Sequence, residues 1–133
     1  MTIYRDSVIV IYLMDHVGPN QTRAQDRLTA MEQAGDTIAV SHVVRLECRV
    51  MPIRNSDAKS LAQFDDFFVR PYVQLVPVSP AVFDRATEIR AKHNLRLGDS
   101  LHLAAAIESG CDRFLTNDLR LNRCTDITIE VLP

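Results

Sequence analysis

Short apolar segments alternate with longer amphipathic ones along the chain, a pattern typical of an α/β protein. Runs rich in β-branched and aromatic residues predict strands at Ile3–Asp6, Thr37–Val40, Val73–Val78, Arg113–Thr116 and Ile127–Val131. The run Val8–Asp15 is apolar at almost every position, so its period does not separate a buried helix from a strand.

Capping and turn-forming residues bound the helical segments. Helices are predicted over Asn20–Ala34, from Ser41 through Val50, from Ser56 to about Val69, from Pro80 to about His93, and from Gly98-Asp99 to Gly110. Gly35 stops the first of these helices, and Pro52 disturbs the end of the second. Alternating strands and helices predict a central parallel sheet with helices on both faces, whose ligands bind beyond the carboxyl ends of the strands.

Size and composition fit a single globular domain over residues 1–133. The chain is 47% hydrophobic and 24% charged, which argues against intrinsic disorder. A net charge of −2 gives no overall field that favours nucleic acid. The apolar run Val8–Met14 is too short to span a bilayer, and no basic segment precedes it. We therefore expect a cytoplasmic protein.

The three cysteines, Cys48, Cys111 and Cys124, are an odd set without Cys-x-x-Cys spacing. This count argues against a disulfide framework, and the spacing argues against a structural zinc site. We expect buried or partly buried free thiols.

Four carboxylates stand on or beside apolar segments: Asp6, Glu47, Asp99 and Asp118. Asp6 and Asp118 follow predicted strands and Asp99 begins a predicted helix, so the strand-end rule brings these three to one rim of the sheet. Taken singly, Asp99 is an ordinary helix cap and Asp118 an ordinary turn residue. Glu47 shares a helical face with Val43 and Val50, and we expect it to be buried.

Gathering these acids has an energetic consequence. Two carboxylates about 5 Å apart repel by roughly 3 kcal/mol at an effective dielectric of about 20, so a cluster calls for protonation or a cation. Oxygen ligands suit Mg²⁺ or Mn²⁺ equally, and such an ion activates water for in-line attack on phosphorus.

The same residues fall in blocks that resemble a known family. The blocks are Asp6-Ser7 with the apolar run Ile9–Leu13, Ser41 with Glu47, Asp99-Ser100-Leu101-His102-Leu103-Ala104, and Phe114-Leu115-Thr116-Asn117-Asp118. In order and across essentially the whole chain, they resemble PIN-domain ribonucleases, and more narrowly the VapC toxins of bacterial and archaeal toxin–antitoxin pairs.

The resemblance implies a PIN-like three-layer fold and Mg²⁺- or Mn²⁺-dependent RNA cleavage. It implies a catalytic quartet of Asp6, Glu47, Asp99 and Asp118, of which Asp6, Asp99 and Asp118 hold the metal. Thr116 and Asn117 match the supporting polar positions. The resemblance also implies a homodimer and a cognate antitoxin partner, for which the apolar face of Leu61, Phe64 and Phe68 is the expected groove.

Two positions depart from the family pattern. Val8 stands where a small polar residue is usual, and Arg5 where an apolar one is usual; a long cation there is expected to reach an edge or pair with an acid. They leave open an alternative, a PIN-like binding module with weak or no nuclease activity. A phosphoacceptor receiver domain is disfavoured because neither lysine, Lys59 or Lys92, follows the late strand. No Gly-x-Gly-x-x-Gly follows a strand, which disfavours a dinucleotide-binding domain.

Overall fold

A five-stranded parallel sheet forms the centre of the protein, in the order β3-β2-β1-β4-β5. The computed structural model describes residues 1–14 and 18–132. Its strands are β1 (Thr2–Arg5), β2 (Thr37–Val40), β3 (Val73–Leu75), β4 (Arg113–Thr116) and β5 (Thr128–Val131). The predicted parallel α/β architecture is confirmed.

The connections between the strands are helical. The helices are α1 (Ser7–Met14), α2 (Pro19–Ala34), α3 (His42–Arg54), α4 (Ala58–Phe68), α5 (Pro80–His93) and α6 (Leu97–Glu108), with a 3₁₀ helix at Leu119–Arg123. The ambiguous run that began at Val8 is therefore helical as far as Met14; its last predicted residue, Asp15, lies outside the described residues.

Alternate residues of each strand feed two apolar cores, one on each face of the sheet. On one face, Tyr4 stacks on Phe114 of the adjacent strand at a ring-centroid distance of 5.2 Å. On the other face, Ile3 packs in a cluster with Ala24 and Met31 of α2. Helices thus cover both faces, as predicted.

Some predicted boundaries are wrong for local reasons. Helix α3 continues through Pro52 to Arg54, because proline in the last turn removes only one helical hydrogen bond. Helix α4 is capped by the side chain of Asp57, which accepts from the Ser60 amide; the predicted cap, Ser56, has a left-handed φ of 52°. Helix α6 begins at Leu97, so Asp99 lies in its first turn rather than before it.

Most of the apolar face that was predicted to receive a partner is buried. Phe64 and Phe68 are buried, because the face of α4 that carries them packs into the larger of the two apolar cores. Helix α3, whose buried stripe runs through Val44 and Cys48, instead carries a row of exposed apolar side chains. Its exposed apolar residues are Leu46, Val50, Met51 and Ile53.

The interior contains an unexpected cation at Arg5, the last residue of β1. Its side chain is only 1% exposed, and among the described residues neither Nε nor Nη2 has a hydrogen-bond partner. Burial lowers the pKa of this guanidinium to about 10. The expectation that Arg5 reaches an edge is therefore wrong: strand alternation places it on the α2 side with Ile3.

The three cysteines, Cys48, Cys111 and Cys124, are free and buried, as predicted. Within residues 1–14 and 18–132, no helix is both long enough and apolar enough to cross a bilayer.

We predict that Arg5→Met stabilises the protein by about 1–4 kcal/mol, because it removes a desolvated charge while keeping apolar volume. Urea unfolding measures the change. The matched control is Ile3→Ala on the same face of the same strand, which should cost about 2–5 kcal/mol. Loss of stability in Arg5→Met would show that the guanidinium has a stabilising partner.

Candidate active site

Asp6 stands where the central strand β1 becomes helix α1. Its amide donates to the Leu115 carbonyl of β4 at 2.9 Å, which fixes the backbone at the carboxyl rim of the sheet. One carboxylate oxygen accepts from the Ser7 amide at 2.8 Å, and the other accepts from the Thr116 hydroxyl at 2.7 Å. The carboxylate therefore has a defined orientation at the start of a helix.

The environment of Asp6 acts on its charge in opposing directions. Burial raises the pKa of Asp6 above its usual value, and the nearby Asp99 adds to the rise. His102, whose Nε2 lies 3.9 Å from Oδ1, and the Thr116 hydrogen bond oppose the rise. Asp99, in the first turn of α6, is thus an acid whose charge disfavours ionised Asp6.

Glu47 is carried to the same rim by α3, which follows β2 directly. Ser41 caps this helix by accepting from the Val43 amide at 3.2 Å. The Glu47 side chain is 42% exposed, so the expectation of burial is wrong. The reason is the helix phase: the buried stripe contains Val44 and Cys48, and Glu47 lies at its margin.

Two side chains orient the Glu47 carboxylate. The Ser7 hydroxyl donates to Oε1 at 2.8 Å, and Nε2 of His102 forms a hydrogen bond with the same oxygen. Burial alone would raise the pKa of Glu47, but the hydrogen bonds from His102 and the Ser7 hydroxyl lower it below its usual value. Glu47 is therefore ionised at neutral pH.

Behind Glu47 lies a chain of buried polar groups. The Tyr4 hydroxyl contacts Ser41 Oγ at 2.7 Å and His102 Nδ1 at 2.8 Å. One set of donors satisfies every group: Ser41 donates to Tyr4, Tyr4 donates to Nδ1, and Nε2–H of His102 donates to Glu47. This series of hydrogen bonds links β1, the end of β2, α6 and α3.

Sequence analysis did not assign roles to Tyr4 and Ser7. For Tyr4 the only signal was indirect. A tyrosine in a buried strand and a histidine in an apolar helix both need polar partners, and Tyr4 and His102 are partners of each other. Tyr4 and His102 are 98 residues apart, so no sequence spacing indicates that they form a pair.

Asp99 and Asp118 are held differently, by exposed arginines. Arg96 Nε lies 3.4 Å from Asp99, and its Nη2 lies 3.9 Å from Asp118, so one guanidinium stands between the two acids. Arg120 donates to both oxygens of Asp118, at 2.6 Å through Nη2. The Arg120 guanidinium keeps the pKa of Asp118 below its usual range.

The segment after β4 connects Asp118 to Asp6. The Thr116 hydroxyl donates to Asp6 and accepts from the Asp118 amide at 3.1 Å. Asp118 in turn caps the 3₁₀ helix by accepting from the Arg120 amide at 3.0 Å. Asn117 points elsewhere: its amide donates to the Tyr12 hydroxyl.

The four acids are thus connected at one rim by intervening side chains. Asp6 and Glu47 meet through Ser7 and His102, while Asp99 and Asp118 meet through Arg96. Beside Glu47 a cleft of about 250 Å³ runs along α3, lined in part by Ile11, Met51 and Phe64.

We predict that Asp6→Asn leaves the melting temperature at pH 7 unchanged or raises it. The pKa of Asp6 is higher in the folded protein than in the unfolded chain, so ionisation opposes folding at neutral pH. Below the unfolded-state pKa both chains carry a neutral group, and the difference should vanish. Thermal melts across pH measure it. A large drop at pH 7 would mark ionised Asp6 as a structural partner.

We predict that Tyr4→Phe costs about 1–3 kcal/mol, because buried Ser41 and His102 each lose a partner. The matched control is Tyr12→Phe, which removes a partly exposed hydroxyl outside this chain of groups and should change stability little. Urea unfolding compares the two variants. Equal effects would mean that the buried chain contributes no special stability.

The family model for the PIN domain matches residues 3–126. No relative among curated protein sequences matches the chain.

Solved structures share the fold at low sequence identity. VapBC2 from Rickettsia felis, bound to a DNA fragment from its promoter, matches with a TM-score of 0.81 at 17% identity, covering 100% of both chains. VapC20 of Mycobacterium tuberculosis, a toxin that cleaves the sarcin–ricin loop, has a TM-score of 0.80 at 17% identity, covering 98% of this chain and 99% of that one. FitAcB from Neisseria gonorrhoeae has a TM-score of 0.72 at 13% identity, covering 96% and 95%.

The family model spans nearly the whole chain, and these solved structures share its α/β fold. The chain belongs to the PIN-domain family.

Proposed function

We propose that this protein is a metal-dependent endoribonuclease that acts as the toxin of a toxin–antitoxin pair. The observation that carries the proposal is the rim itself, where Asp6 and Glu47 are joined through Ser7 and His102 beside Asp99 and Asp118. Membership of the PIN-domain family and the fold shared with an RNA-cleaving toxin support it.

The donor set fits a hard divalent cation. Asp6, Asp99 and Asp118 offer only carboxylate oxygens, which suit Mg²⁺ or Mn²⁺. When bound, such an ion supplies positive charge beside a phosphate and acidifies a water molecule. Asp6 is already fixed by Thr116 and Ser7, whereas Asp99 and Asp118 must first release Arg96 and Arg120.

The remaining residues of the rim have distinct tasks. Glu47 is ionised and oriented by Ser7 and His102, so it can accept a proton from water that attacks the phosphate. Thr116 holds Asp6 and the Asp118 backbone in register. Asn117 supports the segment that carries Asp118 through its hydrogen bond to the Tyr12 hydroxyl.

Exposed arginines at the rim suit an RNA substrate. Arg96 and Arg120 have side chains that are 70% and 51% exposed and stand directly beside Asp99 and Asp118. Once released by a metal, their guanidinium groups can bind phosphate oxygens bidentately. Single-stranded or looped RNA is the substrate class, since such RNA exposes its backbone and its bases.

We propose a cognate antitoxin, a homodimer and a cytoplasmic location for this single PIN-like domain. The exposed apolar surface of α3 (Leu46, Val50, Met51 and Ile53) lies on the helix that carries Glu47, so a partner helix bound there would reach the rim. A separate groove contains exposed Phe83 and Leu97, on α5 and α6, and offers a surface for a second copy.

The alternative is a PIN-like binding module without nuclease activity. The ion pairs of Arg96 with Asp99 and of Arg120 with Asp118 favour it, because these arginines already balance the negative charge that a metal ion would otherwise balance. Metal-dependent cleavage by purified protein decides between the two functions.

We predict that Asp118→Asn abolishes Mg²⁺- or Mn²⁺-dependent RNA cleavage while the protein stays folded. It also abolishes the growth arrest that expression of the unmodified chain should cause. The matched control is Asp26→Asn on the exposed face of α2, which should cleave normally. Cleavage that persists in Asp118→Asn at unchanged rate would exclude the quartet as the catalytic centre.

We predict that Arg120→Ala lowers the Mg²⁺ concentration needed for half-maximal cleavage, because the metal no longer competes with a guanidinium for Asp118. The measurement is made at saturating RNA, so that weaker substrate binding does not obscure it. Arg123→Ala is the control, since Arg123 donates to the Asn94 carbonyl and not to an acid of the quartet. A raised metal requirement would mean that Arg120 assists the metal instead.

A further inference from the structure

A second group of metal-ligand atoms lies where the end of α5 meets the end of the 3₁₀ helix. His93 is the last residue of α5, Cys124 ends the 3₁₀ helix, and Asp126 follows two residues later. A ring nitrogen of His93, the sulfur of Cys124 and a carboxylate oxygen of Asp126 all lie within 4.8 Å of one another. A tetrahedral zinc ion, with bonds of about 2.0–2.3 Å, holds its ligand atoms roughly 3–4 Å apart. Side-chain shifts of about an ångström therefore close this group around an ion.

An independent observation points to a ligand here. Nε2 of His93 is buried, and it has no hydrogen-bond partner among the residues that the structure describes. A buried ring nitrogen left without a partner is costly, and a metal bond would satisfy it. The neighbouring Cys124 is a free, buried thiol beside an exposed carboxylate, so the three groups offer one nitrogen, one sulfur and one oxygen.

The surroundings of Cys124 differ from those of the other two thiols. Burial raises the pKa of all three cysteines, to about 12 for Cys48 and to about 11 for Cys111. At Cys124 the backbone amide of Asp126, which donates to the sulfur, opposes the rise, the Asp126 carboxylate adds to it, and Lys92 and Arg85 oppose it. Arg85 is also paired with Glu108 at 2.8 Å, which offsets part of its charge near the site.

We propose that His93, Cys124 and Asp126 bind one transition-metal ion of borderline softness, for which Zn²⁺ is the best match, with water as a fourth ligand. The mixed nitrogen, sulfur and oxygen set distinguishes this site from the acidic rim, whose oxygen ligands suit harder cations. The expectation that the cysteines form no zinc site rested on Cys-x-x-Cys spacing, and this site draws its ligands from two separate segments.

Such an ion would fasten the segment that follows Asp118 to the end of α5. The same junction already contains one link, from Arg123 to the Asn94 carbonyl at 3.3 Å. Asp118 caps the start of the 3₁₀ helix, and the α5–α6 turn leads to Asp99. Metal at the second site would therefore stiffen the two segments that carry half of the quartet, without contacting the substrate.

Co²⁺ titration of the whole protein tests the proposal, with a phosphine reductant that keeps the thiols free. A thiolate bound to Co²⁺ gives a sulfur-to-metal charge-transfer band, which oxygen ligands at the rim do not give. We expect the band in the unmodified protein, its displacement by Zn²⁺, and its complete loss in Cys124→Ala. Cys111→Ala, which removes a buried thiol outside the cluster, and Asp6→Asn, which alters the rim, should both keep the band.

Asp126→Asn provides a second test that does not disturb the core, because Asp126 is exposed. It should weaken Zn²⁺ binding in a competition assay with a chromogenic chelator and should reduce the rise in melting temperature on adding Zn²⁺. No charge-transfer band in the unmodified protein, or a band that survives in Cys124→Ala, would overturn the proposal. Unchanged Zn²⁺ affinity in Asp126→Asn would overturn the assignment of Asp126.

Discussion

Carboxylates that meet at the carboxyl rim of a parallel sheet repel one another, and many polar contacts of this protein hold them in place. Strand order β2-β1-β4 brings the acids together, because Asp6 directly follows the central strand, while Glu47 and Asp118 lie on the segments that leave its two neighbours. Buried Asp6 and half-exposed Glu47 are held by polar groups: Thr116 and Ser7, and the hydrogen-bonded line from Ser41 through Tyr4 to His102. Apolar packing does not stabilise carboxylates at the rim. The hydrogen bonds to these carboxylates offset the free-energy cost of removing them from water.

The two halves of the quartet differ in how easily they can change partners. Asp6 and Glu47 are held by short hydrogen bonds from groups fixed in the core, so their positions persist whatever binds. Asp99 and Asp118 are held by long, exposed side chains, and such ion pairs contribute little to stability. An exchange of guanidinium for a divalent cation at these two acids therefore costs little. It also frees the arginines to bind phosphate at the place where hydrolysis is proposed.

The parallel sheet, the strand positions and the approach of three acids to one rim could all be predicted from the chain. Those features depend on local pattern and on a general rule for strand ends. The exposure of Glu47 could not be predicted, because a shift of one helical position moves a residue from the buried stripe to its margin, as Cys48 and Glu47 show. Arg5 and the pairing of Tyr4 with His102 also escaped prediction, since both depend on which residues distant in sequence the fold brings together. The arginine partners of Asp99 and Asp118 are near in sequence, yet nothing in composition separates them from ordinary surface cations.

The most direct test of the central claim is the position of bound Mn²⁺, located by anomalous X-ray scattering in crystals grown at a metal concentration that supports cleavage. The account predicts a manganese ion bounded by Asp6, Asp99 and Asp118, with Arg96 and Arg120 turned away from those acids and Glu47 still held by Ser7 and His102. Arginines that remain paired with Asp99 and Asp118, with no manganese at the rim under those conditions, would contradict it.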